Sequence, residues 1–590
     1  MSRSVTTTGS GTGTGSVTTT GTGTAIAAVA ALALALALAG CSSGGDDAAA
    51  GTDVATAPRD AVRDGGSMRW AVDSVPATLN AFQAGADGTT SLVAGAVLPT
   101  LFRLDGRGRP QRDADYLDSA DVVTTEPRQV VSYRLNPKAR WSDGRAIGAG
   151  DFAAQWKALR GKDDAYWTAR NAGYDRIASV KPGKEPHEVL VTFAQPYADW
   201  QSLFAPLYPA SVTGSARAFN DAARHGLPAS AGPFSVRNVS EKGGTVTLAR
   251  NPAWWGDRAK LDTLVLAAVP AAQRPAGLAA GTLDVAEFEP SAYAALRKRA
   301  DAENPKLAIH KTAEAAWSQL ALNGAAGPLA DERVRHAVAR AIDRRAIADS
   351  VLKPLGLPSK PLGNHLLLAT QEGYADHSSA LGTADAASAQ ALLADAGWRP
   401  AKVQPAAEGA APAMRSVRTG KALTLRFVLP ESSLTLNRVG VRIARMLAAI
   451  GVRTDITRVA DDSFFRDHIA SGDFDLALYS WPGTAYPATD DRPIFAKPEP
   501  AADGTLTVEQ NYTRVGTDQI DQLLDQAAGE LDHGAARDLT ARADARIWAA
   551  AGSIPLYQRP QLVALRTGVA NAGAFGFATP RYQDLGFTKK

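Results

Sequence analysis

Apolar and polar positions along the chain fall into short runs closed by Pro, Gly or Asn, and each run predicts an element. Met68-Arg69-Trp70-Ala71-Val72 reads as a first strand, stopped by Pro76; Asn80–Thr90 follows as a Gly-containing loop, and the apolar stretch Leu92–Phe102 as a helix. Val130–Leu135 is a strand ending at Asn136-Pro137. Trp141-Ser142-Asp143-Gly144 is turn chemistry ahead of a helix over Asp151–Leu159, with Asp151 near its N-terminus. Val189–Phe193, Thr245–Ala249 and Leu261–Val269 read as further strands, the second closed by Asn251-Pro252.

The period then lengthens. Val334, Ala337, Val338, Ala341, Ile342 and Ile347 stand at helical spacing and predict one helix over Asp331–Leu352, stopped by Pro354. Leu423–Leu429 is a strand, Val439–Ile450 an amphipathic helix closed by Gly451, and Val452–Ile456 the next strand, a βαβ unit that Asp475–Ser480 continues. This alternation predicts an α/β protein with helices covering largely parallel or mixed sheets. Ala401–Gly420, rich in Ala, Pro and Gly, reads as a surface loop, and no internal repeat of about 20 to 50 residues is visible.

One run has no period. Every residue from Ala25 to Gly40 is Ala, Ile, Val, Leu or Gly, slightly short of the ~20 apolar residues that span a bilayer but suited to a signal-peptide core. It ends at Cys41, the only cysteine, which excludes an intrachain disulfide, a CxxC pair and a Cys-rich zinc site. Leu38-Ala39-Gly40-Cys41 resembles the bacterial lipobox, which implies cleavage before Cys41 and acylation of its thiol; the competing reading is an uncleaved membrane anchor, and either puts the body outside the cytoplasm. The residues ahead of the run depart from the usual pattern, with Arg3 as their only side-chain positive charge. Ser42–Gly66, poor in large apolar residues, reads as a flexible tether, with the folded body starting near Met68.

Composition and charge exclude more than they propose. At 590 residues, with 45% hydrophobic and 21% charged, the chain has material for several lobes and is neither disordered nor polytopic. A formal charge of +3 without a long Lys/Arg block argues against nucleic acid. Gly161-Lys162, Gly183-Lys184 and Gly420-Lys421 do not continue into a phosphate loop, His187-Glu188 lacks the second His of a zinc motif, and no G-x-S-x-G elbow occurs. The histidines, His310 and His336 among them, are scattered and read as structural. Trp254, Trp255, Trp317, Tyr479 and Trp481 stand at strand ends or turns, where α/β crevices form, although most aromatics are core residues. No cofactor or metal is expected, and no enzymatic activity.

Several separated segments are similar to the family 5 extracytoplasmic solute-binding proteins of ABC importers, the oligopeptide- and dipeptide-binding kind. They are Thr78-Leu79-Asn80; Ser132-Tyr133-Arg134-Leu135-Asn136-Pro137 running into Arg140-Trp141-Ser142-Asp143-Gly144 and Asp151-Phe152; Ala231-Gly232-Pro233-Phe234; Val246–Pro252 with Trp255-Gly256; Val334-Arg335 with Ala341-Ile342-Asp343-Arg344; and Gly472–Leu476 with Ser480-Trp481. Physically these read as scaffold: Pro137 and Pro252 end strands, Trp141 packs, and Arg344 is expected to pair with a carboxylate. The resemblance implies a two-lobed periplasmic-binding-protein-like fold with a hinge and a central ligand cleft. Lobe one would comprise 68–104, 227–319 and 554–590, with 105–226 as an inserted subdomain, and lobe two 320–553, after a signal peptide (1–40) and lipidated tether (41–67).

By the same resemblance the ligand-binding candidates are Asp87, Thr89, Asn323, Tyr479, Ser480, Trp481, Gly483, Thr484 and Tyr557, with Cys41 as the lipidation site. One departure matters. Peptide-binding members carry, three positions after the Trp, an Asp that pairs with the peptide's amino terminus; here Thr484, or Ala485 allowing one insertion, stands there. Asp87, Asp490 or Asp491 would have to substitute. The implied function is a monomeric, lipid-anchored receptor on the extracytoplasmic face of the cell membrane, delivering a peptide or similar small solute to a permease and its ATPase. The alternative is a binding-protein scaffold reused as a sensor or interaction protein in envelope biosynthesis, without a transport partner.

Overall fold

The computed structural model describes residues 51–589, apart from 303–305, 403–408 and 502–505. The apolar run and Cys41 lie outside the described residues. Ten strands form the main sheet: β1 (Ser67–Val72), β2 (Phe234–Ser240), β3 (Thr245–Arg250), β4 (Thr263–Ala268), β5 (Val285–Glu287), β6 (Leu307–Leu322), β7 (Thr424–Pro430), β8 (Arg453–Val459), β9 (Leu476–Pro482) and β10 (Ser553–Arg566), in the order β8-β7-β9-β6-β10-β5-β1-β4-β3-β2. Parallel ladders join β4 and β5 to β1, and β8 and β9 to β7; antiparallel ladders join β5 to β10, β10 to β6 and β6 to β9. The alternation read from the sequence is therefore a mixed sheet.

Two long strands carry the sheet from one half to the other. Residues 308–310 of β6 face 563–565 of β10, which continue the ladder to β5, whereas 316–322 of β6 pair with β9. The β6–β10 register slips where these stretches meet, at Ala313/Trp317, and again at Ser318/Gln319 within the second. A bulge twists and bends a strand without breaking it, so the ladder between β6 and β10 continues across the slips. The cores follow the same division. One cluster gathers Met68, Val93, Leu248 and Leu264 with Trp141 and Phe152; another gathers Leu320, Leu425, Ile443 and Trp548.

Local chemistry sets the covering helices. Helix α1 (Gly88–Val97) starts at Asp87, whose carboxylate accepts from Thr90 N at 2.8 Å while the Thr90 hydroxyl accepts from Asp87 N at 3.2 Å. The helix predicted over Asp331–Leu352 is two: α2 (Glu332–Ala341) and α3 (Arg344–Leu352). Asp343 leaves the helical conformation and caps α3 through Ala346 N at 2.9 Å, so a local side-chain bond overrides continuous apolar spacing. Helix α4 (Leu434–Ala448) starts earlier than predicted, where Ser433 caps it, and lies between β7 and β8 as the expected βαβ unit. It rests on β7 at Gly440, where a Cβ would stand 2.6 Å from Leu429 Cδ1.

Between α1 and β2, the strands Leu117–Thr124, Val130–Leu135, Glu188–Phe193 and Ile177–Pro182 form a separate antiparallel sheet. Trp141 packs there with no exposed surface, its indole donating to Asp151 Oδ2 at 3.1 Å.

Three expectations are corrected. The tether predicted to run to Gly66 is packed from Gly51 on: Asp53–Val54 pairs with Gly573–Ala574, the Asp53 carboxylate contacts His310 Nδ1 and accepts from Lys311 N at 2.8 Å each, and Val62 is fully buried. Edge pairing and polar contacts, among them those of Asp53 and the Arg59–Asp584 ion pair, hold this segment, and none of them needs large apolar residues. Within Ala401–Gly420, Met414–Ser416 pairs with Trp398–Pro400. Arg344 has no ion-pair partner among the described residues: it donates to Leu362 O at 2.7 Å and lies 4.8 Å over the ring of Trp548.

Candidate functional site

Ligand crevices in open α/β sheets form beyond the carboxyl ends of the parallel strands. At the end of β1, Asp73 is ion-paired with Arg274, the Ser74 hydroxyl donates to the Asp87 carboxylate, and Thr89 Oγ1 donates to Ser74 O at 3.0 Å. Asp87 and Thr89 thus lie together, and Asp87 is only partly buried. Beside them β5 ends at Glu287, followed by Glu289. On the connecting strands, Glu314 Oε2 lies 3.1 Å from Arg559 Nε, at the register slip.

The facing wall is the end of β9. Trp481 stacks on Tyr512 with centroids 5.7 Å apart and planes 11° apart, and its indole N–H is buried without a partner. Ser480 Oγ lies 3.0 Å from Ser318 Oγ. Gly483 donates to Ala315 O at 2.7 Å and has no room for a side chain, since a Cβ would stand 2.5 Å from Leu368 Cδ1. The Thr484 hydroxyl donates to Asp490, and Gln371 Nε2 donates to Thr484 O at 2.8 Å.

That contact bears on the departure seen in the sequence. The residues following Trp481 supply no acid, but a turn brings Asp490 back onto Thr484. Asp490 as a residue stays exposed, but desolvation of its carboxyl pushes its pKa up, opposed by the Thr484 hydrogen bond and the charge of Arg170. Arg170 also donates to Ala81 O at 3.4 Å and Ala86 O at 3.5 Å, which ties the loop leading to Asp87 to the Asp490 side. Close by, the Thr489 hydroxyl donates to Asp199 at 2.6 Å; enclosure, with Asp490 adding, raises the Asp199 pKa to about 6 against the effect of that bond.

Three candidates present almost no surface. Asn323 spends its amide N–H groups on Gly472 O and Phe474 O, each at 3.0 Å. Tyr479 is packed against Phe465 at 5.5 Å, and Tyr557, hydrogen-bonded to Ser318, is buried as well. Trp317 is a core residue, and Trp254 and Trp255 pack on Tyr116. Sequence reasoning missed Asp73, Asp199, Glu287, Glu289, Glu314 and Arg559. The available signal was position: Asp73 and Glu287 each follow an apolar run. Among the described residues no helix is long and apolar enough to cross a membrane, and no group of acidic, His or Cys side chains is poised to hold a metal.

Residues 119–501 match the family described as bacterial extracellular solute-binding proteins, family 5 Middle. The oligopeptide-binding protein OppA of Mycobacterium tuberculosis strain H37Rv is 35% identical over 540 residues, covering 90% of this chain and 86% of that one. Among solved structures, the periplasmic EDTA-binding protein EppA superposes with a TM-score of 0.80 at 25% identity, over 91% of this chain and 98% of that one. The oligopeptide-binding protein AppA from Bacillus subtilis, in complex with a nonapeptide, superposes at 0.70 with 16% identity, over 90% of this chain and all of that one.

Proposed function

The chain belongs to the family 5 bacterial extracellular solute-binding proteins, with their two-lobed α/β fold, and from that premise we propose that it captures a peptide or similar small solute between its half-sheets and delivers it to an ABC permease and ATPase. Cys41, in this reading, is acylated and holds the protein on the extracytoplasmic face of the membrane. The slips along β6 and β10 are the hinge, with the lobes divided as the sequence suggests, and closure brings Asp87, Thr89, Ser480, Trp481, Gly483 and Thr484 round the solute.

One observation supports the peptide reading: the Thr484 hydroxyl holds Asp490 beside the aromatic end of β9, at the stretch from which the resemblance expects an amine partner. An ammonium enclosed without a partner costs several kcal/mol, and Asp490 supplies that partner. The test is calorimetry on matched free and N-acetylated peptides, using a binder identified by native mass spectrometry. The expected preference for the free amine is above about thirtyfold, roughly 2 kcal/mol, and Asp490→Asn should abolish it. Equal affinity for the two forms in the unaltered protein would refute the role of Asp490.

A further inference from the structure

We infer that Glu287, Glu289 and Glu314, grouped around Arg559 where β5 ends and β6 meets β10, form a subsite for a second positive charge on the captured solute, an ammonium or guanidinium. The inference rests on the solute-capture reading above and specifies the charge of what is captured.

The cluster holds more negative than positive groups. Among the described residues Glu287, Glu289 and Glu314, with the solvent-exposed Asp73 at their edge, face only Arg274 and Arg559. Arg274 is committed: it pairs with Asp73 and donates to Val269 O at 2.9 Å and Glu287 O at 3.2 Å. Arg559 is shared: its Nε lies 3.1 Å from Glu314 Oε2, an ion pair too poorly aligned for a hydrogen bond, while its charge also acts on Glu287 and Glu289.

The decisive feature is what lacks a partner. The Glu287 carboxyl has neither hydrogen-bond donor nor ion-pair partner among the described residues, and Glu289 Oε2 is buried without a donor. A carboxylate taken out of water demands a counter-charge or keeps its proton. Enclosure raises the Glu287 pKa to about 7, with Glu314 and Asp73 adding to the rise and Arg559 and Arg274 opposing it. The cluster thus carries more carboxylate groups than its two arginines balance, and Glu287 is partly protonated near neutral pH. A cation entering the subsite releases that proton to solvent and leaves a Glu287 carboxylate paired with the solute's N–H donors. A metal ion is the poorer occupant, since no described acidic cluster has the grouping to hold one. The position also fits, because Gln558 Nε2 donates to Glu314 O at 2.8 Å and to Thr370 Oγ1 at 3.1 Å, placing the cluster beside the cleft wall that carries Gln371.

The experiment offers the mature protein a synthetic pool of short peptides of unbiased composition, isolates the complex by gel filtration and identifies retained peptides by mass spectrometry. Retained peptides should be enriched about tenfold or more in Lys or Arg, besides any requirement for a free amino terminus. Calorimetry with the best binder near pH 7 should show proton release as a buffer-dependent heat, and affinity should rise about tenfold from pH 6 to pH 8. Glu287→Gln should lose both the enrichment and the proton release, and its ligand-free melting temperature should not fall, because the substitution removes a charge that has no partner. Should that variant fail to fold, Glu289→Gln carries the same readouts. Retained peptides without basic bias, or an unchanged bias in a folded variant, would overturn the subsite while leaving peptide capture standing. If no peptide is retained, the peptide reading falls, and agmatine and spermidine decide the subsite: no binding of either overturns it as well.

Discussion

Replacing Asp544 by Asn should destabilise the protein by about 2 kcal/mol and loosen the cleft wall formed by residues 362–377. Asp544 lies in the helix His533–Ala550 with no exposed surface. Its Oδ1 accepts from the backbone N of His365 at 2.7 Å and contacts His365 Nδ1 at 2.9 Å, and its Oδ2 contacts His377 Nδ1 at 2.7 Å. These bonds pin both ends of a segment whose Leu368 lies against Gly483 and whose Gln371 holds Thr484 O. Asn keeps one acceptor for His365 and turns an N–H₂ toward His377. One stranded donor costs about 1–3 kcal/mol. Asp544→Ala strands three, and about 3–5 kcal/mol is expected, a large share of a typical 5–15 kcal/mol. Two pKa shifts set the pH signature. Hydrogen bonding to Asp544 raises the His377 pKa, so its contribution is complete below the unfolded value of ~6.5 and is lost as pH rises through the folded value. Burial alone would raise the Asp544 pKa, but hydrogen bonds from His365 and His377 prevail and lower it; that contribution is complete above ~3.9 and is lost as pH falls through the folded value. The difference between wild type and variant should therefore be widest from about pH 4 to pH 6.5. Urea denaturation across pH measures it, and hydrogen exchange over 362–377 reports the loosened wall. A Asp544→Asn midpoint equal to wild type at pH 5.5, with unchanged exchange in that segment, would refute the reasoning.

Three further outcomes are expected. Gly232→Ala should cost about 2–3 kcal/mol, because its Cβ would stand 2.5 Å from Ala96 O and 2.9 Å from Val97 Cα, backbone that cannot yield cheaply; a denaturation midpoint equal to wild type would contradict this. Asp199 should cost the protein stability as pH rises from about 4 to about 6, because an unfolded Asp ionises near ~3.9 whereas enclosure, with Asp490 adding, holds the folded carboxyl up to about 6 against the Thr489 hydrogen bond. Asp199→Asn should remove that dependence, and urea midpoints that change equally in both proteins from about pH 4 to about pH 7 would exclude the group as its cause. Cys41→Ser should release the protein from membranes or leave an unprocessed precursor, and a lipid-free mature protein starting elsewhere would disprove acylation.

The sequence by itself determined the elements, the class and the family. Strands such as Val130–Leu135 and the βαβ unit around α4 were legible because period and turn residues act locally, and Asn136-Pro137 and Asn251-Pro252 mark where pairing stops. Where a single side chain competes with period, as Asp343 does in ending α2 and opening α3, the pattern misled. The packing of Gly51–Gly66 was hidden for a related reason: its partners, Gly573–Ala574 and His310, lie hundreds of residues away. The site divides in the same way. Trp481 and Thr484 were proposed from their neighbours in the chain, whereas Asp490 reaches Thr484 only through the turn that follows, and the burial of Tyr479, Tyr557 and Asn323 became visible only in the fold. The grouping of Glu287, Glu289, Glu314 and Arg559 belongs to the tertiary structure alone. A carboxylate's meaning depends on which charges and how much water surround it, and those surroundings come from strands that the sheet places side by side and the sequence keeps far apart.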